Sequence, residues 1–313
     1  MIMTAANLAF VFPGQGSQKI GMLAELAAHY PIVEQTFADA SQVLGYDLWQ
    51  RVQEGSQDEI NLTECTQPLL LTASVACWRV WCEKGGATPS MMAGHSLGEW
   101  SALVCAGVVA FSDAVALVRQ RGKLMQEAVP AGVGAMAAII GLDDAAVKAA
   151  CDASAQDEVV APVNFNSPGQ VVIAGHADAV ARAVDACKEA GAKRALPLPV
   201  SAPFHTSLMQ PAAERLAEQV QATRFSAPQV PVVHNVNAAC ESDPDKIKAL
   251  MIEQIYAPVL WVDCVKTMQA GGVERLIECG PGKVLAGLAK RIDRALNATS
   301  VEAPEEFEAA LAS

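Results

Sequence analysis

The chain has 313 residues, of which 52% are hydrophobic and 18% charged, and its formal net charge is −12 at pH 7. This composition can bury a large core, so it excludes an intrinsically disordered chain. The acidic balance argues against a nucleic-acid-binding protein, and any anionic ligand must be met by a local cluster of Lys or Arg. The length favours one large domain with an insert, or two domains.

The cysteines and the N-terminal residues bear on where the protein works. The nine cysteines include no C-x-x-C pair and lie mostly in apolar runs, which predicts buried thiols in a reducing cytoplasm. The start, MIMTAANLAFVFPGQG, has no basic region before its short apolar run, so no signal peptide is predicted. The longest uncharged apolar stretches fall short of the ~18 residues that a membrane helix needs, so no membrane association is expected.

Strand and helix patterns alternate from the N-terminus. LAFVF at 8–12 is a short apolar run ending in Pro-Gly, which predicts a buried strand, and PSMMAG at 89–94 predicts another. Helical patterns in this part of the chain cover residues 20–30, 31–43, 68–84, 97–107 and 111–127. Residues 134–200 then follow the order strand, helix, strand, strand, helix, strand, which is the ferredoxin-like βαββαβ pattern.

The alternation resumes after this block. Helices are predicted over 206–223, 244–256, 260–270 and 282–295, strands over 230–236 and 273–280, and a solvated acidic helix at the tail. The predicted fold class is α/β, with a mostly parallel sheet covered by helices on both faces. The predicted core covers 1–129 and 202–313, and the predicted ferredoxin-like subdomain covers 130–201.

A nucleophile motif lies between the strand at 89–94 and the next helix. Gly94-His95-Ser96-Leu97-Gly98 is a G-x-S-x-G pentapeptide in the strand–turn–helix context that a nucleophile elbow needs. Such a turn lifts the serine oxygen out at a helix N-terminus, where the backbone N–H of Leu97 can stabilise an oxyanion. Ser96 is therefore predicted to be a nucleophile, although a glycine pair around a serine also occurs in ordinary turns.

A serine hydroxyl needs a base, and five histidines are available. His205 follows a predicted strand and precedes a helix, as a base carried on a loop would. Spacing alone favours it only mildly over the others, which are His29, His95, His176 and His234.

The loop FPGQGSQKIG at 12–21 is the other glycine-rich turn near a strand end. It fits neither G-x-G-x-x-G nor the P-loop pattern, so it does not predict a phosphate site. Glycines allow a backbone to approach a ligand closely, and Gln15 could present its N–H to an oxyanion. A plain strand-to-helix turn accounts for the loop equally well.

Taken together, these segments resemble the malonyl-CoA:acyl carrier protein transacylases of type II fatty acid synthesis, over nearly the whole chain. The order and spacing of the motifs carry the resemblance more than any single motif. They include FVFPGQGSQ at 10–18, AGHSLGEWSAL at 93–103, RGKLMQEA at 121–128, VNFNSPGQVVIAG at 163–175, LPVSAPFH at 198–205 and ECGPGKVL at 278–285. Trp100 departs from the tyrosine that is usual after GHSLGE and is expected to affect packing only.

The resemblance implies an α/β-hydrolase-like core with a ferredoxin-like insert, and it implies roles for six residues. Ser96 matches the nucleophile and His205 the general base. The remaining matches are Gln15 and Leu97 as backbone oxyanion donors, Arg121 as the malonyl carboxylate ligand in preference to Arg119, and Gln254 as the residue that orients the histidine.

The reaction implied is a ping-pong transfer from malonyl-CoA to the phosphopantetheine thiol of acyl carrier protein, without a metal or bound cofactor. Between Ser96 and His205 no acid is well placed to complete a Ser–His–Asp triad. We hypothesise that a carboxylate there would repel a malonyl carboxylate, whereas the neutral Gln254 would not.

Three alternatives remain open at this point. A serine hydrolase or thioesterase would lack a buried arginine and would admit water. A trans-acting polyketide-type acyltransferase would use another extender unit, but Phe204 is expected to crowd a 2-methyl branch. A non-catalytic scaffold for carrier proteins would not need the Ser96, His205 and Arg121 set.

In the family that the chain resembles, CoA and the carrier protein are both anionic, which predicts positive charge near the site entrance of this acidic protein. The candidate cations are Lys193, Arg194, Lys283, Lys290 and Arg291. Ordinary solvated lysines and arginines explain the same residues equally well.

Overall fold

The computed structural model describes residues 4–200 and 202–313 and contains two separate sheets. The nine strands in these ranges are β1 (Thr4–Phe12), β2 (Thr88–Gly94), β3 (Gly134–Ile140), β4 (Val160–Ser167), β5 (Gln170–His176), β6 (Arg194–Pro197), β7 (Val232–Val233), β8 (Arg275–Cys279) and β9 (Asn297–Val301). This mixed α/β architecture confirms the predicted fold class.

Helices cover the connections between these strands. Within the described ranges they are α1 (Ala24–His29), α2 (Ile32–Leu44), α3 (Leu48–Glu54), α4 (Gln57–Asn61), α5 (Thr63–Glu83), α6 (Leu97–Cys105), α7 (Phe111–Glu127), α8 (Asp144–Ala155), α9 (Ala177–Glu189), α10 (Gln210–Ala222), α11 (Pro244–Glu253), α12 (Trp261–Ala270), α13 (Val284–Ile292) and α14 (Pro304–Leu311). None of them is both long enough and apolar enough to cross a bilayer.

The first sheet is parallel, with strand order β7-β2-β1-β8-β9. Alternate residues of β1 face opposite layers, as the period of a strand requires. Phe10 and Phe12 pack into the large core on one face, and Ala9 and Val11 pack into a second core on the other. Because β1 and β2 are parallel neighbours, the loops that follow Phe12 and Gly94 leave the sheet side by side.

The second sheet is antiparallel, with strand order β4-β5-β3-β6, and it corresponds to the predicted βαββαβ block. All four strands lie within the predicted subdomain at 130–201, whose boundaries remain a proposal. Both Met1, where the predicted core starts, and Ser201, where the predicted insert ends, lie outside the described residues.

Three local predictions differ from the structure. The strand expected over 230–236 is reduced to β7, and His234 and Asn235 follow it in a loop. The last strand of the insert ends at Pro197, since Pro197 and Pro199 interrupt the run. Sequence patterns also missed β9, and α14 is not a wholly solvated helix, because Phe307 is fully buried.

Candidate active site

Ser96 lies in a strained turn between β2 and α6. Its backbone has φ 52° and ψ −109°, outside the regions that a non-glycine residue favours. The flanking glycines make this turn possible. A Cβ on Gly94 would collide with the backbone of Gly98, and a Cβ on Gly98 would collide with the carbonyl of Phe12. The pentapeptide therefore reflects close packing of the elbow against β1.

His205 contacts Ser96 directly. Oγ of Ser96 lies 2.8 Å from Nε2 of His205, and Nδ1 of His205 lies 2.8 Å from the backbone carbonyl oxygen of Gln254. A carbonyl only accepts, so Nδ1 carries the proton and Nε2 is free to accept one from the serine. His205 also has a positive φ of 64°, so both members of the pair sit in unusual backbone geometry.

The environment keeps His205 neutral. Burial, together with repulsion from the guanidinium of Arg121, lowers the pKa of His205 to about 3 from its usual 6.5. A neutral imidazole is the form that accepts a proton, so the base is in its competent state at neutral pH.

Gln254 contacts His205 through its backbone carbonyl and not through its side chain. The side chain instead joins other parts of the site: Oε1 accepts from Arg121 at 3.0 Å, and Nε2 donates to the carbonyl of Ser96 at 2.9 Å and to Glu99 at 2.8 Å. Glu99 is thus an acid near the site that our sequence interpretation overlooked. It bonds Gln254 and not His205, so the pair still has no carboxylate partner on its imidazole.

Arg121 is a buried cation beside Ser96. It is 1% exposed, and it donates to Oε1 of Gln67 at 2.8 Å, to Gln254 and, at 3.3 Å, to Oγ of Ser96. Its Nε has no hydrogen-bond partner, and no carboxylate in the described ranges forms an ion pair with it. Burial lowers the pKa of Arg121 to about 10, so it stays charged at neutral pH.

Arg119 faces a different part of the molecule. It donates to the carbonyl of Leu44 at 3.0 Å, and its guanidinium lies 5.6 Å from the ring centroid of Tyr46. Of the two arginines on α7, only Arg121 reaches the Ser96 pocket.

Gln15 and Leu97 both line the pocket over Ser96. Their backbone N–H groups have no hydrogen-bond partner among residues 4–200 and 202–313, whereas the N–H of Ser96 is occupied by Oδ1 of Asn235 at 2.8 Å. Gly14 lies against the backbone carbonyl of His95, where an added Cβ would come within 2.5 Å, so the Gln15 loop is held close to the elbow. The arrangement suits the proposed oxyanion role of both N–H groups.

The pocket is small and mostly apolar above these polar groups. Its volume is about 120 Å³, somewhat below the roughly 150 Å³ of a cavity that holds benzene, so it suits a short acyl group. The apolar side chains that line it are Leu97, Met125, Met136, Leu198, Val200 and Phe204.

The other four histidines have separate roles. His95 lines the pocket and lies 2.7 Å from Oδ1 of Asn166, while His234 lies 2.6 Å from Oε1 of Glu99. His29 and His176 bond backbone atoms of Glu25 and Val159. None of the four approaches Ser96 Oγ as His205 does.

Sequence reasoning missed four residues that complete the site, namely Gln67, Glu99, His234 and Asn235. The motifs TQPLLL and GHSLGE contain the first two, but nothing in a single sequence distinguishes a buried polar group from a solvated one. These residues come into contact only because α5, α6 and the loop after β7 pack together in the folded chain.

Three of the five candidate cations lie near identifiable loops. Lys283 follows Gly282, whose backbone lies against Ser17 in the Gln15 loop. Lys193 packs over Gly141, next to the β4–β5 turn, and Arg291 donates to Gln170 beyond that turn at 2.7 Å. The steering role of these groups remains a prediction.

We expect charge reversal at Lys283 or Arg291 to raise KM for carrier protein, and to do so more strongly at low salt, because screening weakens long-range attraction. Steady-state assays at two ionic strengths measure the effect. Lys188→Glu, at an exposed position of α9, is the matched control. If no reversal among the five candidate cations changes KM at low salt, the steering role is wrong.

Comparison with known proteins extends these observations. Residues 9–301 match the family of acyl transferase domains. A malonyl CoA-acyl carrier protein transacylase from Salmonella typhimurium is 62% identical, over 97% of this chain and 99% of the relative. The crystal structure of an acyl carrier protein S-malonyltransferase from Vibrio cholerae superposes with a TM-score of 0.95 at 60% identity, covering 97% of this chain and 99% of the other. The structure of a malonyl-transacylase in complex with a type II PKS acyl-carrier protein superposes with a TM-score of 0.97 at 58% identity. This match covers 98% of this chain and 99% of the other.

Proposed function

The chain belongs to the acyl transferase family, and we propose that it transfers malonyl groups from malonyl-CoA to acyl carrier protein through a malonyl-Ser96 intermediate. The names of its relatives support the substrate and the carrier. The serine intermediate and the two-step order are our own inference from the site.

One observation carries the proposal: a buried guanidinium with an unused N–H lies beside an assembled serine–histidine pair. A buried charge without a counter-ion is costly, so Arg121 is poised to gain from an arriving anion. A malonyl group differs from an acetyl group by one carboxylate. Arginine suits that carboxylate, because its planar fork can bond both oxygens.

In the first half-reaction, Nε2 of His205 takes the proton of Ser96 as Oγ attacks the thioester carbonyl. The oxyanion accepts hydrogen bonds from the N–H groups of Gln15 and Leu97. When the C–S bond breaks, the CoA sulfur leaves with the proton from His205, and malonyl remains on Ser96 as an ester.

The second half-reaction uses the same groups in reverse. His205 takes the proton of the phosphopantetheine thiol, and the sulfur attacks the ester carbonyl in the same oxyanion site. The C–O bond breaks, and Ser96 regains its proton from His205. The small apolar pocket limits the water that could compete with the thiol, which favours transfer over hydrolysis.

The substrate carboxylate also acts on the base. Repulsion by Arg121 is, after burial, the largest cause that lowers the pKa of His205. A malonyl carboxylate paired with Arg121 offsets that charge and raises the pKa of His205 toward its usual value, whereas an acetyl group does not.

We expect Arg121→Ala to lose most malonyl transfer while it keeps or gains activity on acetyl-CoA. A hydrogen bond to a charged group contributes roughly 1.5–3 kcal/mol, and a bidentate pair somewhat more, so the loss is about 10- to 1,000-fold in kcat/KM. The measurement is kcat/KM for both thioesters with the same enzyme preparation.

Two further variants sharpen this test. Arg121→Lys should restore only part of the malonyl transfer, because the ammonium of lysine cannot form a bidentate pair with the carboxylate. Arg119→Ala, on the same helix, should leave the malonyl-to-acetyl ratio unchanged. If Arg119→Ala shifts the ratio and Arg121→Ala does not, the wrong arginine carries the specificity.

The fully charged, buried Arg121 disfavours a plain serine hydrolase, which has no use for it. Ser96 contacts both His205 and Arg121, and a non-catalytic scaffold would not need this arrangement. We also propose that the protein works in the cytoplasm, since all nine of its cysteines are free thiols.

A further inference from the structure

Glu99 is a buried carboxylate that no step of the proposed reaction uses. It lies in the first turn of α6, three residues after Ser96, and has no exposed surface. Its Oε1 accepts from Nδ1 of His234 at 2.6 Å, and its Oε2 accepts from the backbone N–H of Asn235 at 3.0 Å and from Nε2 of Gln254 at 2.8 Å. Three donors compensate for the water that this ion has lost, so it is held in one orientation.

Gln254 connects this carboxylate to the catalytic groups. A carboxylate can only accept hydrogen bonds, and the carbonyl of Ser96 lies on the same side of the amide, so both direct the NH₂ end of Gln254 toward themselves. The amide oxygen must then face Arg121, where it accepts from Nη2 at 3.0 Å. The orientation of the Gln254 amide thus depends on Glu99 together with the carbonyl of Ser96.

The negative charge of Glu99 also partly offsets the positive charge of the buried Arg121, although the two side chains are not in contact. Burial lowers the pKa of Arg121, whereas the negative charge of Glu99 raises it. A carboxylate in direct contact would balance the charge better, but it would occupy the N–H groups that the acyl carboxylate needs. With Gln254 between them, Arg121 keeps two neutral amide partners and an unused Nε.

We propose that Glu99 is a positioning residue for malonyl recognition: it holds the Gln254 amide with its oxygen toward Arg121, which aligns the guanidinium while leaving its Nε without a partner for the acyl carboxylate. The inference rests on the proposed function, because it assigns Arg121 to the acyl carboxylate. It also explains why an acid is tolerated within this site.

Glu99→Gln tests the role with little change in volume. The new amide offers an NH₂ group that competes with that of Gln254, so only the carbonyl of Ser96 and Nη2 of Arg121 still hold the Gln254 amide in its orientation. We expect the ratio of kcat/KM for malonyl-CoA to kcat/KM for acetyl-CoA to fall at least roughly tenfold, the size of one hydrogen bond to a charged group. The ratio does not depend on the fraction of folded enzyme, since one preparation serves both substrates.

Two comparisons make the result decisive. Glu278→Gln changes another buried glutamate, which accepts from the N–H of Ala286 at 2.8 Å in α13, and should leave the ratio unchanged. Adding Gln254→Glu to Glu99→Gln preserves the net charge but places a carboxylate on Arg121, so KM for malonyl-CoA should rise further. The inference is overturned if the ratio is unchanged in Glu99→Gln or if it falls equally in Glu278→Gln. A wild-type ratio in the double variant also overturns it. Absence of malonyl transfer by the wild-type protein overturns the proposed function instead.

Discussion

Replacing Ser96 with alanine is expected to abolish malonyl transfer to acyl carrier protein. In the proposed reaction both half-reactions pass through Oγ of this residue, so no partial route remains when it is removed. Loss of the nucleophile in a serine protease costs about 10⁶-fold in kcat, and an effect of that order is expected here. The measurement is the rate of malonyl-carrier formation at saturating malonyl-CoA.

Neighbouring nucleophiles provide the control for this prediction. Ser101 is fully buried in α6, and burial raises the pKa of the Cys105 thiol well above its usual value, so neither should replace Ser96. An acyl adduct on Ser101 or Cys105 in the Ser96→Ala protein would show that the nucleophile has been misassigned.

Replacing His205 with alanine is expected to slow transfer by about 10²- to 10⁴-fold, the usual contribution of a general base. The loss should fall on kcat and on kcat/KM together, because the proton moves only as the C–O or C–S bond forms. His29→Ala is the matched control, since His29 lies at the end of α1 and bonds only the carbonyl of Glu25. A comparable loss in His29→Ala, or less than a tenfold loss in His205→Ala, would contradict the assignment.

The pH profile gives a second test of the same residue. Because the pKa of His205 is lowered to about 3 in the free protein, the imidazole gains a proton only in strong acid. The acid limb of kcat/KM should therefore lie well below pH 6.5, with activity falling as the pH drops and His205 becomes protonated. An acid limb at the usual histidine value would show that His205 is not held neutral by burial and by Arg121.

The sequence predicts the parts of this site that depend on local backbone patterns. The glycines around Ser96 can be recognised because close packing against β1 excludes a Cβ there. The βαββαβ order follows from hydrophobic periodicity, and the sheet confirms it. Residue spacing favours His205 only mildly, and the choice of Arg121 over Arg119 requires the family resemblance.

Other features depend on contacts between distant segments. The group that contacts Nδ1 of His205 is a backbone carbonyl, which every residue possesses, so no side-chain pattern could reveal that Gln254 makes this contact through its main chain. Glu99 lies three residues after Ser96 in the same motif, yet its burial follows from the loop after β7 closing over α6. Strand β9 was missed because its residues, NATSV, alternate too weakly to predict a strand.

The most direct test of the central claim is the intact mass of the protein after incubation with malonyl-CoA in the absence of carrier protein. The account predicts a mass increase of one malonyl group, located on the peptide that contains Ser96 and removed when carrier protein bearing a free phosphopantetheine thiol is added. No covalent adduct, or an adduct on another residue that the carrier thiol removes at the rate of turnover, would contradict it.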